Sequence, residues 1–242
     1  DYDLDGYVDL YISRNLPYRV LQANLSPPIP YHDANNGQSN YLYRNDSGFG
    51  FSDVTRETGM DADNLRWSSA AGWEDFDHDG DSDLYVANDF GRNCFYRNDV
   101  PEGGRFVNVA EEKGVENQAA GTSVSWADYD HDGWVDLYVG NVFSAAGNRV
   151  AFQSQFQPGV SQVVRSMMRG MARGGSLLRN NGHGMFHDVS KAAGVTMGRW
   201  AWSSLFTDLN NDGWDDLVVA NGLWTAPDPE DLQSFFWRQV VS

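Results

Sequence analysis

Short apolar runs recur along the chain, and turns rich in Gly, Asn and Asp separate them. Four of the runs are nearly identical: Leu-Tyr-Ile at 10–12, Leu-Tyr-Val at 84–86 and 137–139, and Leu-Val-Val at 217–219. Aromatic and β-branched residues in runs of this length are typical of β-strands. The pattern therefore predicts an all-β chain of short strands.

Two further segments repeat between these runs. One has an apolar strand, Arg-Asn, a glycine turn, Phe and then Asp-Val or Asn-Val, and it occurs at 40–54, 93–109 and 176–189. The other is a strand that leads into an acidic segment, at 66–75, 121–128 and 199–208. Four strands in about 50 residues, joined by glycine turns, is the period of a β-propeller blade. We therefore predict a β-propeller of four-stranded blades over residues 1–221.

The spacing of the repeats locates two insertions. The repeats begin at 1, 75, 128 and 208, so the interval from 75 to 128 is the shortest. The longer intervals contain insertions at about 14–39 and 142–175. Both follow the same strand of the repeat. We therefore expect both on one face of the array, where repeat proteins commonly place their binding loops.

The second insertion contains a predicted helix. Valine and methionine residues recur there at helical spacing beside three arginines, and they are Val163, Val164, Met167, Met168 and Met171. This pattern indicates a short basic amphipathic helix, which either docks a partner or lies on its own propeller with its arginines against the acidic surface.

The repeats do not continue to the end of the chain. Residues 222–242 form a tail that is predicted to be partly helical. We count three complete four-stranded units and the opening strand of another before it. Propellers close with about 4–8 blades, and we expect part of a propeller of about seven.

The charge is strongly negative and concentrated. The chain has 34 Asp and Glu residues against 17 Lys and Arg, a formal net charge of −17. Half of the acids lie in four nine-residue segments at 1–9, 75–83, 128–136 and 208–216, the first to fourth acidic loops. An acidic protein does not favour nucleic acid or an anionic membrane surface as a partner. No apolar run approaches the roughly 20 residues of a membrane-spanning helix.

Each acidic loop reads D-x-[DN]-x-D-G-x-x-D. Ca²⁺ takes about 6–8 oxygen ligands, from carboxylates, carbonyls and water. Acids at positions 1, 3 and 5 of a tight loop converge on one point, and the glycine at position 6 permits the sharp turn. A backbone carbonyl at position 7 and the acid at position 9 then complete the shell. The spacing predicts calcium binding.

Other interpretations of the loops fit less well. Zinc would need Cys or His at ligand spacing, and Mg²⁺ usually keeps several waters. An EF-hand would need Glu at position 12, where the loops have Ile12, Val86, Val139 and Val219, so an EF-hand is excluded. Asp-Gly could also mark an ordinary hairpin turn, but four loops of unpaired carboxylates would repel without a cation.

These motifs resemble the FG-GAP/VCBS repeats of integrin-α-type propellers, and more closely the cartilage acidic protein family and its bacterial relatives. The segments that carry the resemblance are the acidic loops, Leu-Tyr-Arg-Asn at 42–45, Phe-Tyr-Arg-Asn at 95–98, and 195–222. The resemblance implies a calcium-bearing propeller, extracellular or periplasmic, with adhesion or protein-interaction roles.

The resemblance also implies a ligand set. Position 7 would contribute its backbone carbonyl, and the other positions would contribute side-chain oxygens. As many as four Ca²⁺ ions are expected, one in each loop. The implied ligands are Asp1, Asp3, Asp5, Tyr7 and Asp9; Asp75, Asp77, Asp79, Asp81 and Asp83; Asp128, Asp130, Asp132, Trp134 and Asp136; and Asp208, Asn210, Asp212, Trp214 and Asp216.

We expect a non-catalytic module for protein interaction, adhesion or scaffolding, with a protein partner on the loops of one face. The alternative is a carbohydrate-binding or carbohydrate-active propeller, similar to a lectin or a polysaccharide lyase, with a glycan ligand. The sequence has no nucleophile elbow, zinc cluster or acid pair outside the repeated loops. His183 and His187 share one glycine hairpin, and we expect both to be exposed and non-catalytic. Tryptophans that precede the loops, such as Trp126, are expected between blades.

Overall fold

The computed structural model describes residues 1–15 and 27–221, which contain thirteen β-strands in four antiparallel sheets. The first sheet has β1 (Leu10–Ile12), β2 (Tyr41–Asn45) and β3 (Phe51–Asp53). The second has β4 (Ser68–Glu74), β5 (Asp83–Asn88), β6 (Cys94–Asn98) and β7 (Phe106–Asn108). The third has β8 (Gly121–Ala127), β9 (Asp136–Asn141), β10 (Ser176–Asn180) and β11 (Phe186–Asp188). The fourth has β12 (Ala201–Thr207) and β13 (Asp216–Asn221). The all-β prediction is confirmed.

The grouping of strands into units differs from the prediction. The strand that enters each of the last three acidic loops pairs with the strand that leaves it, as in the Trp73–Leu84 and Trp126–Leu137 register pairs. Each of these three loops therefore connects two neighbouring antiparallel strands of one sheet, as the turn of a hairpin does. The sheets therefore divide the strands differently from the predicted units: they have three, four, four and two strands, and no closed ring of sheets is found over the described part of the chain.

Aromatic side chains fill the space between the second and third sheets. Phe76 is fully buried, with its ring centroid 4.7 Å from that of Phe95 and 6.0 Å from that of Phe186. Trp126 packs against both of those rings from β8. The expected position of this tryptophan between sheets is confirmed. Trp202, in contrast, is 53% exposed.

The described parts of both insertions lie at the same end of the sheets. Tyr31 of the first insertion contacts Phe90, which follows β5, at a ring distance of 5.8 Å. Phe90 also packs against Met171 and Ala172 of the second insertion. Since β5 begins at the acidic loop and ends near Phe90, the insertions and the acidic loops are at opposite ends of the strands.

Three short helices connect the strands: α1 (Ala110–Lys113), α2 (Ala145–Ala151) and α3 (Gln162–Gly170). The predicted helix of the second insertion is confirmed as α3, and the Ser161 side chain accepts a hydrogen bond from the backbone N–H of Val164 (3.2 Å) at its start. Arg165 and Arg169 donate to the backbone carbonyls of Gln157 and Ala151 rather than to acids. Arg173, the third arginine of the predicted pattern, pairs with Asp188 of β11. The helix therefore packs on its own insertion, and one of the three arginines meets an acid of the sheets.

Parts of the predicted organisation lie outside the described residues. They are the tail at 222–242 and positions 16–26 of the first insertion. Within the described ranges, every helix is too short and too polar to cross a membrane.

Candidate metal centres

All four acidic loops have the same backbone turn. Position 4 has a positive φ in every loop, between 57° and 60°, although none of its residues is glycine; they are Leu4, His78, His131 and Asn211. Position 6 is a glycine with φ between 89° and 98°. Only glycine takes the latter conformation without strain. The glycine therefore permits the chain to curl around the side chains of positions 1, 3 and 5.

Carboxylates at positions 1 and 5 hold this turn by accepting backbone hydrogen bonds. In the third loop, Asp128 Oδ2 accepts from the N–H of Gly133 at 2.9 Å and Asp132 Oδ1 accepts from the N–H of Trp134 at 3.0 Å. The equivalent bonds form in the other three loops, at 2.8–3.2 Å. The loops are therefore pre-organised by their own acids.

The acid at position 9 ties each loop to the sheet. Asp83 and Asp136 begin β5 and β9 and are fully buried. Their Oδ1 atoms accept from the backbone N–H groups of Asn98 and Asn180, both at 2.8 Å. Asn98 and Asn180 in turn donate from their side chains to the position 2 carbonyl of the preceding loop. One asparagine therefore connects two neighbouring loops.

Three of the four predicted ligand sets bring three carboxylates together. In each set, one oxygen per residue lies within 4.8 Å of the others, which is close enough for one ion to contact all three; the sets are Asp1, Asp3 and Asp5; Asp75, Asp77 and Asp83; and Asp128, Asp130 and Asp136. Asp9, Asp79 and Asp132 lie outside these sets and accept hydrogen bonds from backbone N–H groups instead.

The fourth loop brings no such set together within the described chain. Its position 3 is Asn210, whose side-chain amide donates to Asp212 Oδ2 at 3.0 Å. Asp208 and Asp216 accept backbone hydrogen bonds, from Gly213 and Leu209. An amide at position 3 contributes one oxygen and no charge.

Position 3 shows where an ion would fit. Asp3, Asp77 and Asp130 each have an Oδ1 atom that is shielded from solvent and accepts no hydrogen bond among the described residues. A buried carboxylate oxygen without a partner costs several kcal/mol, about 1–3 for the lost hydrogen bond and more for the charge. The atoms of the three sets that could bind an ion are all carboxylate oxygens, the ligand type that Ca²⁺ prefers. The residues present therefore fit a calcium ion.

Burial raises the pKa of three acids in the second and third loops, and repulsion between neighbouring carboxylates adds to it. Burial, with repulsion from Asp77 and Asp81, raises the pKa of Asp83 to about 8. Burial, with repulsion from Asp130, raises the pKa of Asp136 to about 7. Burial also raises the pKa of Asp81 to about 7. These carboxyls hold protons near neutral pH unless a cation takes their place.

Position 7 does more than offer a backbone carbonyl. Trp134 of the third loop stacks on His78 of the second, with ring centroids 4.4 Å apart and planes 11° apart. Trp214 of the fourth loop stacks on His131 of the third at 4.3 Å and 11°. The histidines at position 4 point away from the carboxylates, as their position predicts. Sequence reasoning missed their contact with the next loop.

The remaining position 7 side chains differ. Tyr7 is 43% exposed, and Asp81 is buried with both carboxylate oxygens unpartnered.

His183 and His187 are both exposed, as expected. Neither belongs to a set of possible metal ligands among the residues the structure describes.

Comparison with known proteins agrees with this geometry. A family model described as FG-GAP-like repeat matches residues 75–139 and 165–219, which contain the second, third and fourth acidic loops. A search of curated proteins found no match. The matched segments coincide with the loop hairpins and the strands around them. These two segments of the chain are therefore FG-GAP-like repeats.

Proposed function

We propose that the acidic loops bind calcium and that the ions stabilise the sheets. One observation supports this most strongly: the position 3 acids of three loops, Asp3, Asp77 and Asp130, each keep a buried carboxylate oxygen without a partner. A buried carboxylate oxygen without a partner destabilises the fold, and its recurrence in three repeats supports a bound ligand that offsets this destabilisation. Because position 9 begins a strand in the last three loops, an ion held there would join the turn to the sheet.

Calcium fits this proposal better than other cations. The three ligand sets contain no His or Cys, which zinc and the softer metals prefer. Four or five acids and a carbonyl in each of the first three loops approach the 6–8 oxygens of a Ca²⁺ shell. Mg²⁺ would keep several waters and needs fewer protein ligands.

The test is a comparison of thermal unfolding in EDTA, in Ca²⁺ and in Mg²⁺, with isothermal titration calorimetry to count the ions. We expect Ca²⁺ to raise the midpoint and Mg²⁺ to raise it less. Asp77→Asn and Asp130→Asn should each remove part of the calcium effect. Asp61→Asn, at an exposed acid outside the loops, is the control. A midpoint that does not change when Ca²⁺ replaces EDTA would overturn the proposal.

We further propose that the calcium-stabilised sheets act as a non-catalytic module for protein interaction or adhesion outside the cytoplasm. FG-GAP-like repeats support this role. The insertion end of the sheets offers exposed apolar side chains: Val163 on α3 is 65% exposed and Phe152 after α2 is 62% exposed. Extracellular calcium sites work at about 10⁻⁴–10⁻³ M Ca²⁺, which the outside of a cell supplies.

Replacement of residues 145–171 by a short linker tests this surface. Binding of candidate partners, measured with purified proteins by surface plasmon resonance, should be lost in the linker variant. It should persist when the exposed Val107 of β7, away from the insertions, is changed to Ser. Equal binding by both variants would contradict the assignment of the partner surface to the insertion end.

A further inference from the structure

Three arginines occupy the same position of the repeat, in the strand that returns toward the acidic loops. They are Arg44 in β2, Arg97 in β6 and Arg179 in β10. In the first two repeats the arginine pairs with an acid two residues later. Arg97 donates to both oxygens of Asp99, at 2.7 and 2.9 Å, and Arg44 pairs with Asp46 at 3.3 Å. These arginines are therefore engaged locally.

The third repeat lacks this local acid. The residue two positions after Arg179 is Asn181, which is neutral and accepts from the backbone N–H groups of His183 (2.9 Å) and Met185 (3.2 Å). Arg179 turns to the third acidic loop instead. Its Nε lies 2.5 Å from Asp130 Oδ2, and its Nη2 lies 2.9 Å from Asp132 Oδ2. These acids are at positions 3 and 5.

We propose that Arg179 is a built-in competitor for calcium, which makes the third loop a weaker and more readily emptied site than the second. The inference rests on the proposed calcium binding. Calcium affinity depends on the number of charged ligands in the loop. The second loop has five acids and no arginine among its ion pairs, whereas the third has four acids and a guanidinium on two of them.

The direction of the effect follows from Coulomb's law. The guanidinium carries one positive charge and calcium carries two, so the two cations repel each other while Arg179 stays on the loop acids. A tenfold change in affinity needs about 1.4 kcal/mol. Removal of the guanidinium from the third loop should therefore tighten calcium binding there by at least tenfold.

Asn181→Asp is the sharpest variant because it recreates the Arg-Asn-Asp sequence of the first two repeats and leaves Arg179 in place. The new carboxylate keeps an acceptor for the backbone groups that Asn181 serves. We expect it to draw Arg179 away from the loop. Arg179→Gln removes the charge outright and should act in the same direction. Arg97→Gln is the control, since Arg97 pairs outside the second loop.

Terbium luminescence reports on the third loop, because Trp134 lies in that loop and can sensitise a bound Tb³⁺ ion. Because Trp134 also stacks on His78 of the second loop, only the signal that both Trp134→Phe and Asp130→Asn remove is assigned to the third loop, and displacement of Tb³⁺ by Ca²⁺ gives the calcium affinity. Asn181→Asp and Arg179→Gln should tighten it at least tenfold, and Arg97→Gln should not. Unchanged or weaker affinity in both variants would overturn this inference alone. No ion binding by the unaltered protein would overturn the calcium proposal as well.

Discussion

Without calcium, the stability of this protein should fall as the pH rises from about 4 to about 8. Asp83 and Asp136 are fully buried, with pKa values of about 8 and about 7, whereas an unfolded aspartate titrates near pH 3.9. Below that pH the groups are protonated in both states, and their contribution to stability is fully present. As the pH rises, the unfolded chain loses its protons first, so that contribution is lost up to the folded pKa.

The expected loss is large. Each pKa unit corresponds to about 1.4 kcal/mol, so Asp83 alone should cost on the order of 5 kcal/mol across this range. Native domains are stable by only about 5–15 kcal/mol. Calcium needs deprotonated carboxylates and should therefore reverse the trend. The stabilisation by calcium should increase as the pH rises.

Urea unfolding, followed by tryptophan fluorescence at several pH values between about 5 and 8, measures both effects. The series is run once in EDTA and once in Ca²⁺. Asp83→Asn should flatten the EDTA series, because asparagine does not titrate. The same substitution at Asp216, the half-buried equivalent in the fourth loop, is the control, and it should leave the slope of the EDTA series in place. A free energy of unfolding in EDTA that stays constant or rises between pH 5 and 8 would refute the reasoning.

Two further predictions concern packing. Phe76→Ala should lower the free energy of unfolding by about 3–5 kcal/mol, measured in urea, because the ring is fully buried between two sheets; Phe51→Ala, at a 54% exposed ring, should change it little. Gly182→Ala should lower the thermal midpoint, because Gly182 has a φ of +72° and an added Cβ would lie 2.5 Å from Trp134 Nε1. Gly159→Ala, with open space around it, should not; equal midpoints for the two variants would contradict this packing.

The strands that follow the acidic loops were predictable because each contains an apolar run after a turn. The run at 84–86 lies inside β5, and the run at 137–139 lies inside β9. The grouping into sheets was not predictable in the same way. Hydrophobic periodicity locates strands, but the pairing of strands depends on how the loop between them closes. The prediction therefore placed the sheet boundary at the acidic loop, where the structure has a hairpin.

The carboxylate clusters were partly predictable. The spacing of acids indicated the three carboxylate sets, because alternate residues of a tight turn face the same point. The ligand set of the fourth loop, where Asn210 stands in place of an acid at position 3, stays a prediction. The contacts of Arg179 could have been suspected from one comparison, since Arg-Asn-Asp becomes Arg-Asn-Asn in its repeat. The stack of His78 on Trp134 could not be predicted from the sequence of either loop alone, because the contact joins two loops.

The two histidine–tryptophan stacks also give the row of repeats a fixed order. Each stack joins position 4 of one loop to position 7 of the next. Between the first and second loops, those positions hold Leu4 and Asp81, a pair that cannot stack. A repeat that was duplicated or exchanged with another would present the wrong side chain to at least one neighbour. The repeats are therefore not interchangeable. A rearranged array should assemble only where the position 4 residue of one loop and the position 7 residue of the next loop are transferred together.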